Sequence, residues 1–266
     1  MIDQAEDFRA ESRALHALVA PLDDDGLARV TQFKAWTFDD VVGHLHVWNQ
    51  AALLALTDEQ GFLGLLGRAQ ALMATGGLRT FEAEVLEGLA GRALVAAWET
   101  GFEQTADAYA AADPKQRIRW AGPSMSARSS ITARHMETWA HGQEVYDALG
   151  LERPEDDRIR NIVQLGVNTF GWTFANRGLP VPDCVPRLSL TSPSGQVWAW
   201  HAENEDELIE GSAVDFCRVV TQTRNIADTG LVMTGDTAGR WMTYAQCFAG
   251  PPEDPPAPGT RHPIQQ

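Results

Sequence analysis

Four interruptions govern what the first 150 residues can fold into: Pro21, the pair Gly76-Gly77, the run Ala112-Asp113-Pro114, and Gly150. Proline cannot continue a helix, because it lacks an N–H and clashes with the preceding turn, and glycine is the usual residue just past a helix end. Between these breaks, apolar residues recur at helical spacing. Residues 2–20 carry Phe8, Leu15, Leu18 and Val19 in this way. Residues 37–57, TFDDVVGHLHVWNQAALLALT, open on Thr37 as a helix cap, with Asp39 and Asp40 in the first turn where carboxylates face the positive end of the helix dipole. Residues 62–74 and 80–111 form a third helical region, broken at the glycine pair, and a fourth runs from Ser129 or Ser130 to Leu149. Four amphipathic helices with modest connections predict a four-helix bundle over residues 1–155.

Past that point the pattern changes. Residues 156–177 read as a further helix. Two alternating runs follow, Arg187–Thr191 and Gln196–His201, around the turn Ser192-Pro-Ser-Gly195, which predicts a β-hairpin. Residues 207–226 return to helical periodicity, Leu231–Thr234 reads as a third strand, and 237–249 as a last helix. The expected class is therefore mainly α: a bundle, then a small α+β domain over 156–250. Residues 251–266 form a proline-rich tail without regular structure.

The net charge of −15 repels nucleic-acid backbones and anionic membranes, so neither is expected as a partner. No run of about 18 apolar residues is present, which argues against a membrane span. The first residues, MIDQAEDFRAESRALHAL, are charged and amphipathic and lack the apolar core of a signal peptide, so a cytoplasmic protein is expected. Cys184, Cys217 and Cys247 are about thirty residues apart and form no close pair, against a cysteine zinc site or an iron–sulfur cluster.

The stretch His135-Met-Glu-Thr-Trp-Ala-His141 concentrates two histidines and a glutamate on the fourth helix. Residues four apart share a helix face, so Glu137 and His141 form a pair, whereas His135, six residues before His141, points elsewhere at about 100° per residue. A third ligand would have to come from another helix. The second helix offers His44 and His46, two apart and thus on opposed sides, with Gly43 next to His44 permitting close helix approach. His44, Glu137 and His141 would make a His₂Glu set with a fourth position left for water or substrate, the pattern of a catalytic rather than a structural zinc. Asp40, one turn before His44, could orient its ring or could serve only as a first-turn charge.

Trp36-Thr-Phe-Asp-Asp-Val-Val-Gly-His-Leu45 resembles the W-T-x-x-D-x-x-x-H-L segment of the DinB-like bundle superfamily. Glu137-Thr-Trp-Ala-His-Gly-Gln-Glu-Val145 resembles the E-x-W-x-H-G-x-D-x segment of its mycothiol-dependent maleylpyruvate isomerase branch, departing at Glu144, where the branch has Asp. The resemblance covers most of residues 1–150 and assigns the metal ligands to His44, Glu137 and His141. Residues 186–249 are similar to the C-terminal region of a related actinobacterial group of metal-binding members, itself distantly similar to a sterol-carrier-like domain.

The resemblance implies a divalent metal, preferably zinc, that binds mycothiol and lowers the pKa of its thiol. Thiolate addition to an activated cis double bond, rotation and elimination would then give the trans product, or the thiol would be retained as in an S-transferase. The partners are thus a small-molecule thiol and a small organic substrate. An anionic substrate would need a cation against the acidic background: Arg224 is the first choice, with Arg240 and Arg134 next. Trp48, Trp139 and Trp172 are candidates for a pocket wall or for core. Non-catalytic metal binding and metal-dependent hydrolysis are the alternatives.

Overall fold

Thr37 does what its position predicts. Its hydroxyl accepts from the Asp40 N–H at 3.0 Å, and the Asp40 carboxylate accepts from the Thr37 N–H at 2.9 Å. This reciprocal capping box starts helix Phe38–Thr57 and satisfies donors that the first turn leaves open. The computed structural model describes residues 2–264. It divides into two compact units, Met1–Ala148 and Leu149–Gln266. The division falls a few residues before position 155, at the end of a helix that Gly150 stops with a φ of 65°.

The helices of the first unit are α1 (Gln4–Val19), the short α2 (Asp24–Leu27), α3 (Phe38–Thr57), α4 (Glu59–Leu86), α5 (Gly91–Ala111) and α6 (Ala127–Leu149). The strands β1 (Arg117–Ile118) and β2 (Met125–Ser126) pair between α5 and α6. Four of the helices, α1, α3, α5 and α6, make the bundle. Its core includes Phe8, Leu15, Trp98, Phe102, Ile131 and Trp139, all buried. Tyr109 on α5 ties three of them together: its hydroxyl donates to the Ala52 carbonyl at 2.9 Å and lies 2.8 Å from the Ser130 hydroxyl.

The third helical region differs from expectation. Residues 80–111 are not one helix. Glu87 (φ 49°), Gly88 (φ 84°) and Gly91 (φ 60°) turn the chain between α4 and α5, and the Gly88/Gly91 spacing is the signal that the periodicity overrode. The expected break at Gly76-Gly77 is present. Gly77 adopts φ 79°, ψ −179°, a conformation essentially reserved for glycine. Arg68 and Glu84, on either side of it, form an ion pair at 3.0 Å. Sixteen residues of straight helix would separate them by about 24 Å, so α4 doubles back on itself. Its two arms share one apolar cluster, with Ala69 and Phe81 packed against Val47 of α3.

In the second unit, the expected helix 156–177 is interrupted at Thr169, giving α7 (Arg160–Asn168) and α8 (Phe170–Ala175). The hairpin forms as read, with β3 (Arg187–Thr191) antiparallel to β4 (Val197–Trp200). The expected helix over 207–226 is strand in its first part. Leu208–Ser212 is β5, parallel to β3 with Leu188 opposite Ile209, and only Ala213–Val220 is helical, as α9. Ile209 is needed in the buried layer beside Leu188 and Leu190, and Gly211 at φ 138° suits a strand better than a helix. β6 (Val232–Thr234) completes a sheet of order β4-β3-β5-β6, and α10 (Asp236–Tyr244) ends five residues before the predicted stop at 249. Trp241 of α10 packs on Phe216 and Phe170 with ring centroids 5.6 and 5.0 Å apart.

Residues 250–264 contain no helix or strand, as expected; the last two of the predicted tail lie outside the described residues. The segment is nevertheless bonded to its own unit, for example from Gln222 Nε2 to the Glu253 carbonyl and from Asn225 Nδ2 to the Pro256 carbonyl. Among the described residues, no helix is long and apolar enough to cross a membrane.

Candidate metal centre

α3 and α6 bring together three donors from residues 93 positions apart in sequence. His44, Glu137 and His141 each offer one ligand atom, and these atoms lie within 4.8 Å of one another. Glu137 Oε2 is the hub, 3.7 Å from His44 Nε2 and 3.5 Å from His141 Nε2. Ligand atoms around a tetrahedral zinc with bonds of about 2.0–2.1 Å stand about 3.3 Å apart. Two of the spacings are already close to that, and two imidazoles with one carboxylate are a donor set suited to zinc, iron or nickel. The residues therefore fit a divalent cation.

Each donor is held from behind. The other Glu137 oxygen, Oε1, faces Arg134 Nη2 at 3.7 Å. His44 Nδ1 donates to Glu82 Oε1 at 2.6 Å. His141 is stacked on Trp36 at 5.5 Å with 7° between the planes, and meets the edge of Phe33 at 5.2 Å. Trp36 also flanks His44 at 5.3 Å, and the Arg79 guanidinium lies over its indole at 4.9 Å. Trp48 is 6.3 Å from the His44 ring, and Trp120 is 5.9 Å from Trp48. The donors thus sit in a largely aromatic wall.

Charge follows from this packing. Burial pulls His44 down, but Glu137 and Glu82 overcome it and raise its pKa to about 9. His141 moves the other way: burial lowers it, assisted by the nearby His44. Burial would raise Glu137, yet its contacts with His141, His44 and Arg134 hold it well below the usual carboxylate range. The ionised Glu137 carboxylate thus lies between a His44 ring that holds its proton near neutral pH and a His141 ring that is neutral, and a cation bound at His44 Nε2 would displace that proton.

The structure separates these residues from the ones set aside by spacing. His46 is on the far side of α3 and accepts from Gln50 Nε2 at 2.7 Å. His135 is fully buried, 3.8 Å from Glu11 of α1. Glu144 is buried outside the three-donor cluster, and Asp40 caps its helix and pairs with Arg79 rather than turning to His44. Of the candidate arginines, Arg134 adjoins the centre, buried and 5.6 Å above the Trp120 ring. Arg224 and Arg240 belong to the second unit. Arg224 is buried in the turn after α9, with Nη1 donating to the Thr223 carbonyl; Arg240 pairs with Asp236 at 3.8 Å on α10. Trp48 lines the centre, Trp139 is core, and Trp172 is in the second unit. Sequence reasoning missed Glu82, Arg79, Phe33 and any role for Trp36. Glu82 looks like one surface acid among several, and only the reversal of α4 turns it inward.

The sequence profile described as "Mycothiol maleylpyruvate isomerase N-terminal domain" matches residues 8–146, more than half of the chain and every residue of the three-donor cluster. The chain belongs to this family. Two curated Mycobacterium tuberculosis proteins, from strains CDC 1551 / Oshkosh and ATCC 25618 / H37Rv, are each 40% identical to this chain over 246 residues. The match spans 92% of this chain and 95% of theirs, and both are described as uncharacterized. The crystal structure of a mycothiol-dependent maleylpyruvate isomerase superimposes with a TM-score of 0.56 at 14% identity, covering 87% of this chain and 91% of that one. A histidine-to-alanine mutant of such an isomerase gives 0.53 at 15%, covering 82% and 87%. At that identity the likeness is one of fold: a helical bundle followed by an α+β unit.

Proposed function

We propose that this protein is a metal-dependent, thiol-using enzyme that resembles mycothiol-dependent maleylpyruvate isomerase in reaction class, carrying out cis–trans isomerisation or S-transfer on a small unsaturated acid. The observation that carries the reading is the convergence of His44, Glu137 and His141 within a family named for a thiol-dependent isomerase. When bound there, a divalent cation, zinc in our reading, lowers the pKa of a thiol so that the thiolate is available near neutral pH. The chain's own residues do the rest. His44 and His141 hold the cation through Nε2, and Glu137 offsets part of its charge. Trp36, Phe33 and Trp48 keep water from the donors. Arg224 binds the substrate carboxylate, a role supported by the family resemblance and by the need for a cation in a chain of net charge −15.

No protein nucleophile is required, in keeping with the cysteines. Burial pushes the Cys217 thiol well up, so it is a poor nucleophile, and Cys184 is exposed in the other unit from the three donors. Cys184, Cys217 and Cys247 form no disulfide among the described residues, in keeping with a reducing, cytoplasmic setting. The acidic surface supports small-molecule rather than nucleic-acid or membrane partners.

The test uses zinc-loaded protein, mycothiol and a cis-unsaturated diacid. Trans product should form with both zinc and thiol present and should be lost when either is omitted. Turnover that persists in thiol-free buffer would instead identify a metal-dependent hydrolase, and full metal loading with no turnover of any tested acid a non-catalytic binder.

A further inference from the structure

The second arm of α4 does more than cover α3. Its Glu82 is 1% exposed, and an ionised carboxylate is tolerated at such a depth only when paired and hydrogen-bonded. Three donors meet it. His44 Nδ1 at 2.6 Å and Trp48 Nε1 at 3.1 Å converge on Oε1, and Arg79 Nη1 at 2.9 Å reaches Oε2. An ionised carboxylate accepts and cannot donate. The hydrogen in the 2.6 Å contact therefore sits on His44 Nδ1, and a neutral His44 ring has its lone pair on Nε2, the atom that faces Glu137.

We infer that Glu82 is a positioning residue of the metal centre, fixing His44 in the tautomer and orientation that present Nε2 as the ligand atom. The inference rests on the metal-centre reading above. Local structure explains how the sequence achieves it. The turn at Gly77 reverses α4, and Arg79 and Glu82, three residues apart, then share the face toward α3. Arg79 binds both Glu82 and Asp40, so neither carboxylate is left as an uncompensated charge beside the ring. The same guanidinium lies over Trp36, which stacks on His141. One short helical arm thus braces both histidines. Glu84, two residues on, points away and pairs with Arg68, which makes it the natural control.

The experiment strips the full-length protein of metal and measures zinc affinity by competition with a chromophoric chelator. Glu82→Gln preserves shape but removes the charge, and should weaken zinc binding by about 10–100-fold, the range seen when a ligand histidine loses its outer partner. Glu84→Gln should stay within about threefold of wild type. A Glu82→Gln protein that binds zinc as tightly as wild type overturns the inference and leaves the metal centre standing; a wild-type chain that takes up no zinc overturns both. A second measurement needs no variant. In zinc-loaded wild type, ¹⁵N–¹H correlations of the histidine rings should show His44 with a protonated Nδ1 and a metal-shifted Nε2. A His44 ring with Nδ1 bare or metal-bound overturns the inference, whatever the variant does.

Discussion

Two histidines of the HMETWAH stretch are separated by one property, the direction each faces on α6. His141 turns to Glu137 and His44, whereas His135 turns to α1. His44→Ala and His141→Ala should each abolish stoichiometric metal in the purified protein, and His46→Ala and His135→Ala should retain about one equivalent, as read by elemental analysis. His135 is a control for metal content but not for stability. It is fully buried, and its truncation leaves a cavity that should cost about 2–4 kcal/mol, measurable by urea unfolding. At this scale the pairing of Glu137 with His141 was legible because helical spacing is a property of sequence, and the structure brings His44, rather than His46, to that pair. Glu82 was not, because its burial depends on a chain reversal that brings it to a residue 38 positions away.

Elements were read well where local chemistry decides them and poorly where tertiary packing does. Thr37 with Asp40, Gly150, and the Ser192–Gly195 turn all act as punctuation in the structure. Leu208–Ser212 carries an apolar pattern compatible with a helix, and becomes a strand because β3 offers it a parallel partner. The turn in α4 allows a sharp test. Gly77 sits at φ 79°, ψ −179° with open space around its Cβ position, so Gly77→Ala meets backbone strain rather than a clash. The expected cost is about 1–3 kcal/mol, seen as a lower urea midpoint. If α4 relaxes to avoid the strain, the Arg68–Glu84 pair opens and zinc affinity falls with it.

On the scale of the whole molecule, the two units divide the proposed labour. All three donor residues, with Glu82 and Arg134, lie before Ala148, and Arg224 lies after it. Arg224→Met should therefore leave metal content at the wild-type level while kcat/KM for an anionic substrate falls by about 10–150-fold, the effect of losing a charged hydrogen bond. Joint loss of metal and activity would instead mark Arg224 as structural. Trp36 adds a further consequence. Its indole lies parallel to the His141 ring and beneath the Arg79 guanidinium, so its excited state senses the charge on both neighbours. Loading the centre should change tryptophan emission in proportion to occupancy. Trp36→Phe should remove most of that change from a chain that still holds eight other tryptophans. The proposed centre would then carry its own optical gauge, with metal uptake followed in real time without a label.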